Sequence, residues 1–181
     1  VLGNHDEFMF DAALIDTYSE SAVLKASVEE TRSRLSEDAI AFIRTFERTV
    51  PLAEHDVFLY HGTPRSNLED LLTTTPDARV DEMLAGHRAL VFVGGHTHLQ
   101  MLRQHRGMLI VNTGSLGMPF REYASGGPPH ILPHAEYAIV ETKKGSASVD
   151  LRRVDLDRQK LAQQVAGWDN PLAASLQSLY A

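Results

Sequence analysis

Residues 90–98 read Leu-Val-Phe-Val-Gly-Gly-His-Thr-His, an apolar run that stops at two glycines and two histidines. An unbroken apolar run of this length is typical of a strand buried on both faces of a parallel sheet. The Gly94-Gly95 pair indicates the end of the strand and lets the side chains of His96 and His98 diverge. The stretch therefore predicts a buried strand that brings two imidazoles to one end of a sheet.

Three other apolar runs end in polar clusters of the same kind. Residues 57–60 lead into His61-Gly62, residues 108–111 into Asn112-Thr113-Gly114-Ser115, and Val1-Leu2 into Gly3-Asn4-His5-Asp6. Open α/β sheets gather their functional groups outside the carboxyl ends of the strands. We therefore expect an α/β fold in which the four clusters share one rim.

The remaining segments predict helices that cover the sheet, and a hairpin. Ser36, followed by Glu37 and Asp38, is typical of a helix N-cap with an acidic first turn. Pro51 is expected to close this helical unit, and a second helix is expected at residues 77–84, with Val80, Met83 and Leu84 on one face. A Pro/Gly-rich loop at residues 118–133 should lead into a hairpin formed by residues 137–140 and 148–151. After Asn170-Pro171 we expect a last helix with Leu172, Leu176 and Leu179 on one face.

Composition limits the chemistry before any motif is considered. The 181 residues contain no cysteine, so a metal ion would be held by imidazole, carboxylate and amide groups. Lys and Arg number 17 against 24 Asp and Glu, and the net charge of −7 opposes non-specific binding to nucleic acid or anionic lipid. No apolar run is long enough to span a bilayer, so we expect a soluble, cytoplasmic protein.

Each cluster taken alone is ambiguous. A His-x-His pair can lie in an ordinary turn without binding anything, and a single histidine such as His61 after a buried strand is more often structural than a ligand. Gly3-Asn4-His5-Asp6 offers an amide oxygen, an imidazole and a carboxylate in succession, but it also fits an ordinary turn.

Taken in order, the clusters resemble the motifs of the calcineurin-like metallophosphoesterase family, from Val1 to about Leu151. The similarity lies in Gly-Asn-His-Asp, then His-Gly, then Gly-His-x-His, and it is greatest to the small bacterial predicted phosphodiesterases. Residues 112–115 resemble the family's Asn-Pro-Gly-Ser turn, with Thr113 in place of proline. The resemblance implies a four-layer α/β/β/α sandwich with metals at the strand ends.

The same resemblance implies site residues and chemistry. Asn4, His61 and His96 would bind one metal ion, and His98 would bind the other. His5 would be the catalytic imidazole, with Asp6 orienting it. Two divalent ions, expected to be Mn, Fe or Zn, would activate a bridging water that attacks a small phosphoester or nucleotide.

Two family motifs are missing from residues 1–181. An Asp-x-His and a Gly-Asp pair, which supply carboxylate ligands in the family, should precede Gly3 and do not occur later. We therefore expect residues 1–181 to be the C-terminal portion of a single metallophosphoesterase domain that lacks its first strand-helix units. By itself, this portion is expected to be inactive.

Two other functions are consistent with parts of the sequence. Gly114-Ser115-Leu116-Gly117 is similar to a serine hydrolase elbow, but Thr113 stands where that elbow needs its first glycine. A metallophosphoesterase fold kept as a catalytically incomplete interaction scaffold is the alternative that remains.

Several aromatic residues are expected to have no role in catalysis. Three histidines in polar segments are expected to be solvated: His55, His87 and His105. Trp168 is expected to pack. Two further histidines, His130 and His134, are expected to lie in a packed loop rather than to contact the substrate.

Overall fold

The computed structural model describes residues 1–124 and 129–180, without the side chains of Ser175 and Leu179. The chain divides into two compact units. The first comprises Val1–Gly3 and Glu47–Asp155, and the second comprises Asn4–Phe46 and Leu156–Ala181. The expectation of one domain over residues 1–181 stays a prediction.

The first unit is built on a mixed five-stranded sheet. Strand order is β1-β2-β3-β5-β4, in which β2, β3 and β5 are parallel and the outer strands β1 and β4 are antiparallel to their neighbours. The strands are β1 Thr49–Leu52, β2 Val57–Tyr60, β3 Val91–Gly94, β4 Met101–His105 and β5 Met108–Asn112.

A two-stranded hairpin covers one face of this sheet. It consists of β6 His134–Lys143 and β7 Ser146–Asp155, which pair antiparallel. Because side chains alternate along a strand, one face of the sheet presents Val57, Val91 and Val111, and these pack against Ala138, Val140 and Val149 of the hairpin. The predicted hairpin is confirmed and is longer at both ends.

A helix, α5 (Asp77–Met83), covers the opposite face. Its Val80 and Met83 pack with Phe58, Phe92 and Ile110, which point away from the hairpin. The first unit therefore has three layers, helix, sheet and hairpin, and the predicted α/β class is confirmed.

The second unit is helical in the part that the structure describes. Ser36 caps α4 (Glu37–Ile43) as predicted, since its hydroxyl accepts a hydrogen bond from the backbone N–H of Ala39 at 3.2 Å. Asn170 accepts from the N–H of Leu172 at 2.8 Å, so the predicted last helix forms, beginning at Ala173. The predicted position of the Leu179 side chain lies outside the described residues, as do residues 125–128 of the predicted loop. The helices are α1 Asn4–Phe8, α2 Leu14–Tyr18, α3 Ala22–Arg34, α4 Glu37–Ile43, α6 Arg158–Ala166 and α7 Ala173–Tyr180.

Two local predictions about strands were wrong. Val1-Leu2 forms no strand, because its backbone makes an isolated hydrogen bond, from Leu2 N to Glu47 O at 2.7 Å, rather than a ladder. Pro51 does not close a unit but lies inside β1, on the edge of the sheet, where a residue without an N–H is tolerated.

Two side-chain predictions were also wrong. Trp168 is 54% exposed rather than packed. His105 is only 2% exposed, because it closes β4 against α5 and lies 2.8 Å from the carboxylate of Asp81. Within the part of the chain that the structure describes, no helix has both the length and the apolar character needed to cross a membrane.

Candidate metal centre

The predicted clusters of the first unit lie at one edge of the sheet, as expected. Strands β2, β3 and β5 run parallel, so His61, the segment 95–98 and the segment 113–115 all follow carboxyl ends of neighbouring strands. Backbone bonds continue past the strands, from Gly95 N to His61 O at 2.8 Å and from Thr113 N to Gly94 O at 3.1 Å. These hydrogen bonds fix the positions of the three segments relative to one another at the edge of the sheet.

Glycines allow the close approach of these segments. A side chain at Gly94 would overlap the ring of Tyr60 on the neighbouring strand. A Cβ at Gly62 would lie 2.7 Å from the carbonyl oxygen of Glu69. Gly94 and Gly62 are therefore required by packing, whereas a Cβ at Gly95 would meet nothing within 4 Å.

Both histidines of the Gly-His-x-His segment adopt left-handed backbone conformations, with φ of 68° at His96 and 58° at His98. Such conformations cost free energy in non-glycine residues and occur most often at functional sites. Asn112 stabilises the turn, since its amide donates to Gly95 O at 2.5 Å and to the Thr97 hydroxyl at 3.0 Å.

The three histidines line one cavity of about 490 Å³. The rings of His61 and His96 meet edge to face, with 5.2 Å between their centres. Thr113, Gly114 and Ser115 form another part of the wall, with Glu136 and Tyr137 from β6. A cavity of this size is in the range that holds small molecules.

His98 is held in a defined tautomer. Its Nδ1 lies 2.8 Å from the carbonyl oxygen of Met118, which can only accept, so Nδ1 carries the proton and Nε2 is the nitrogen left to bind a ligand. Burial lowers the pKa of His98, although the bond to Met118 opposes this shift. The neutral form that binds metals is therefore favoured.

His96 is buried more completely, with a side chain that is 1% exposed. Burial lowers the pKa of His96; nearby Asp70 acts in the opposite direction, and His98 lowers it further. The Nε2 atom of His96 lies 3.3 Å from Oδ1 of Asp70. Asp70 was not singled out in the sequence, because it lies in a polar loop without any recognisable pattern.

Glu136 is a second residue that the sequence did not reveal. Its side chain is 1% exposed, and Oε1 lies 3.1 Å from Nε2 of His134 and 3.2 Å from Nε of Arg153. Among the described residues, no group forms a hydrogen bond with Oε2, which lies against Gly114. The sequence signal for Glu136 is an acidic residue on the inward face of a strand. That face can be recognised only when the register of the strand is known.

Comparison with known proteins assigns the chain to a family. The family model described as "Calcineurin-like phosphoesterase superfamily domain" matches residues 1–145. The chain belongs to the calcineurin-like phosphoesterase superfamily. Membership implies metal-dependent phosphoester hydrolysis.

Solved structures share the fold of this phosphoesterase. A hypothetical protein from Pyrococcus horikoshii OT3 is 16% identical with a TM-score of 0.72, over 98% of this chain and 70% of that one. A metallophosphoesterase from Sphaerobacter thermophilus is 19% identical with a TM-score of 0.65, over 98% of this chain and 74% of that one. No curated protein matches the chain.

The histidines of the phosphoesterase fit a metal ion as nitrogen ligands. His61, His96 and His98 share one cavity, and burial favours the neutral form of the last two. In residues 1–124 and 129–180, however, no group of three or more His, Asp or Glu side chains is placed so that it could hold a metal ion. The three histidines therefore fit a metal ion only as the nitrogen ligands of a larger ligand set.

The remaining predicted residues lie in the second unit. Asn4 opens α1 and is 3% exposed, whereas His5 is exposed and its ring meets that of Phe8 at 5.3 Å between centres. Their roles as ligand and catalytic group stay predictions.

Proposed function

We propose that the protein is a phosphodiesterase that hydrolyses a small phosphoester or nucleotide with the help of two divalent metal ions. The observation that carries this proposal is the meeting of His61, His96 and His98 in one cavity at the carboxyl edge of the sheet. Family membership supplies the reaction class, and the cavity has room for a compact substrate. A cytoplasmic location stays a prediction.

Each histidine has a role in this proposal. His61 and His96 would hold one ion, and His98 would hold the other through Nε2, since Nδ1 is committed to the carbonyl of Met118. Bound Mn, Fe or Zn would polarise phosphoryl oxygens and make a bridging water nucleophilic near neutral pH. Burial of His96 and His98 keeps protons from competing for the ligand nitrogens.

His5 is proposed to donate a proton to a phosphoryl oxygen or to the oxygen of the leaving group. An imidazole titrates near pH 6.5 and can donate to an oxygen that gains negative charge during the reaction. His5 is exposed, so it can exchange its proton with solvent between turnovers.

The test uses a protein that carries residues 1–181 together with the expected upstream Asp-x-His and Gly-Asp motifs. It measures hydrolysis of bis(p-nitrophenyl) phosphate and of p-nitrophenyl phosphate with added Mn²⁺, for the wild type, His96→Asn and His98→Asn. Turnover of the diester should exceed that of the monoester. Each substitution should lower kcat/KM by more than about 100-fold, because a metal contributes several kcal/mol to the transition state. His55→Asn, which changes an exposed histidine, should behave as wild type.

Equal turnover in His96→Asn and the wild type would contradict the proposed site. Absence of turnover with Mn²⁺, Zn²⁺ and Fe²⁺ would instead favour the catalytically incomplete scaffold. Preference for the monoester would retain the reaction class and remove the diester specificity.

A further inference from the structure

Asp70 is the carboxylate that contacts His96. It lies in the loop between β2 and α5, with its Oδ1 at 3.3 Å from Nε2 of His96. The side chain of Asp70 is 34% exposed, whereas that of His96 is 1% exposed, so the carboxylate stands between the buried ring and solvent. The backbone of Leu68 acts in the same direction as Asp70, since both oppose the lowering of the His96 pKa by burial. Segment 68–70 therefore braces this ring.

The loop that carries Asp70 is anchored through the neighbouring residue. Glu69 accepts hydrogen bonds from the Thr63 hydroxyl at 2.8 Å, from Nε of Arg65 at 2.8 Å and from Arg79 of α5 at 3.0 Å. A carboxylate that three donors hold is fixed in position. The backbone of Asp70 is tied through Glu69 both to the turn after His61 and to the helix that covers the sheet.

Tyr123 fixes the carboxylate of Asp70 from another loop. Its hydroxyl donates to Oδ2 of Asp70 at 2.6 Å, a short distance that is typical of a bond to an ionised acceptor. One oxygen of Asp70 thus faces Tyr123 and the other faces His96, so the carboxylate has little freedom to rotate.

We propose that Asp70 is a positioning residue that orients the His96 ring for metal binding. This inference rests on the proposed function. Histidine ligands commonly have a carboxylate or carbonyl against the ring nitrogen that does not bind the metal, and loss of that partner weakens metal binding. His98 has a carbonyl partner in Met118, and Asp70 gives His96 a charged one. The Asp70 charge also strengthens His96 as a ligand.

The test compares wild type, Asp70→Asn and Asp150→Asn in two measurements. The first is the affinity for Mn²⁺ alone, by titration calorimetry. The second is the pair of ring ¹⁵N shifts of His96 in metal-free protein, which report the tautomer. Asp150 is an exposed aspartate paired with Arg152 in the hairpin, so Asp150→Asn makes the same chemical change away from the cavity.

We expect Asp70→Asn to weaken Mn²⁺ binding by about 10- to 100-fold and to shift the His96 ring signals. Asp150→Asn should change neither. Tyr123→Phe keeps the carboxylate and removes the donor to Oδ2, so it should weaken Mn²⁺ binding by only about 2- to 10-fold. This milder variant retains the test if Asp70→Asn does not fold.

The inference is overturned if Asp70→Asn binds Mn²⁺ within about twofold of wild type, or if its His96 ring signals coincide with those of wild type. Weaker binding with unchanged ring signals also overturns it, because Asp70 would then act on the ion without orienting His96. The ring measurement needs neither metal nor turnover. An enzyme that hydrolyses phosphodiesters and fails these tests loses this inference alone, whereas an inactive protein with the expected shifts loses the proposed function alone.

Discussion

Gly114 is a position in the site that tolerates no residue other than glycine without strain. Its φ of +78° is strained for any L side chain, and an added Cβ would overlap the carboxylate of Glu136. Gly114→Ala should therefore destabilise the protein by about 2–4 kcal/mol, from left-handed strain and overpacking together. Urea denaturation of Gly114→Ala and Gly117→Ala measures this.

Gly117 is the matched control, because an added Cβ there meets nothing within 4 Å and its φ is not positive. Gly117→Ala should stay within about 0.5 kcal/mol of wild type. Equal stability of the two variants would show that segment 113–117 rearranges freely and that Glu136 does not constrain it.

Protonation of the two buried histidines sets a second expectation. Burial lowers the pKa values of His96 and His98 in the folded protein below the ordinary value of 6.5. Above pH 6.5 both the folded and the unfolded states are neutral, so stability does not depend on these groups. As the pH falls below 6.5 the unfolded state binds protons first, and stability declines.

The measurement is the urea midpoint between pH 5 and pH 8. The decline below pH 6.5 should be shallower in His98→Asn than in wild type, by no more than about 1.4 kcal/mol per pH unit for a single proton. His55→Asn, at an exposed position, should keep the wild-type slope. The same slope in all three proteins would mean that His98 is not held neutral by burial.

The sequence was informative about residues wherever a strand ended in a recognisable cluster. His61, His96 and His98 line one cavity, because the carboxyl ends of neighbouring parallel strands lie at the same edge of the sheet. The sequence did not indicate Asp70 or Glu136, because each contacts a residue that is distant in sequence. Asp70 contacts His96, and Glu136 lies against Gly114. His105 was judged from polar neighbours, although β4 turns it inward.

Among the elements, β4 and α5 are joined by charged side chains as well as by the apolar core. His105 and Arg106, at the end of β4, both bind the carboxylate of Asp81 on α5, and the Arg106 guanidinium lowers the pKa of Asp81 to about 2. Arg103 donates to Asp77, at the start of the same helix, at 2.6 Å. These contacts hold α5 along the edge strand.

His105→Ala should cost about 2–4 kcal/mol, because it leaves a cavity and removes a buried partner of Asp81. Thermal unfolding of His105→Ala and His55→Ala distinguishes this from a general effect of losing a histidine. His55 is exposed, so its replacement should change stability by less than about 0.5 kcal/mol. If both variants melt at the same temperature, the contact between His105 and Asp81 contributes little to holding α5.

Elements with strong apolar runs were predicted well, and elements with weak patterns were not. Strands β2, β3 and β5 lie inside the sheet, so both of their faces are apolar and the runs are unmistakable. Strand β4 is on the edge and alternates with charged residues. Helix α3 went unpredicted because, of its thirteen residues, Val28 is the one that is buried, so it lacks a clear apolar stripe.

At the scale of the whole molecule, metal binding and folding are linked. An ion that binds the folded chain and not the unfolded chain stabilises it by mass action, by about 2.7 kcal/mol at a concentration one hundred times the dissociation constant. Addition of Mn²⁺ should therefore raise the melting temperature of the wild type, and EDTA should reverse the rise. In His61→Ala/His96→Ala the rise should be lost, because the variant removes two ligands that line the cavity. His55→Ala should keep it. A rise of equal size in the double variant would place the stabilising ion elsewhere on the acidic surface of a chain whose net charge is −7.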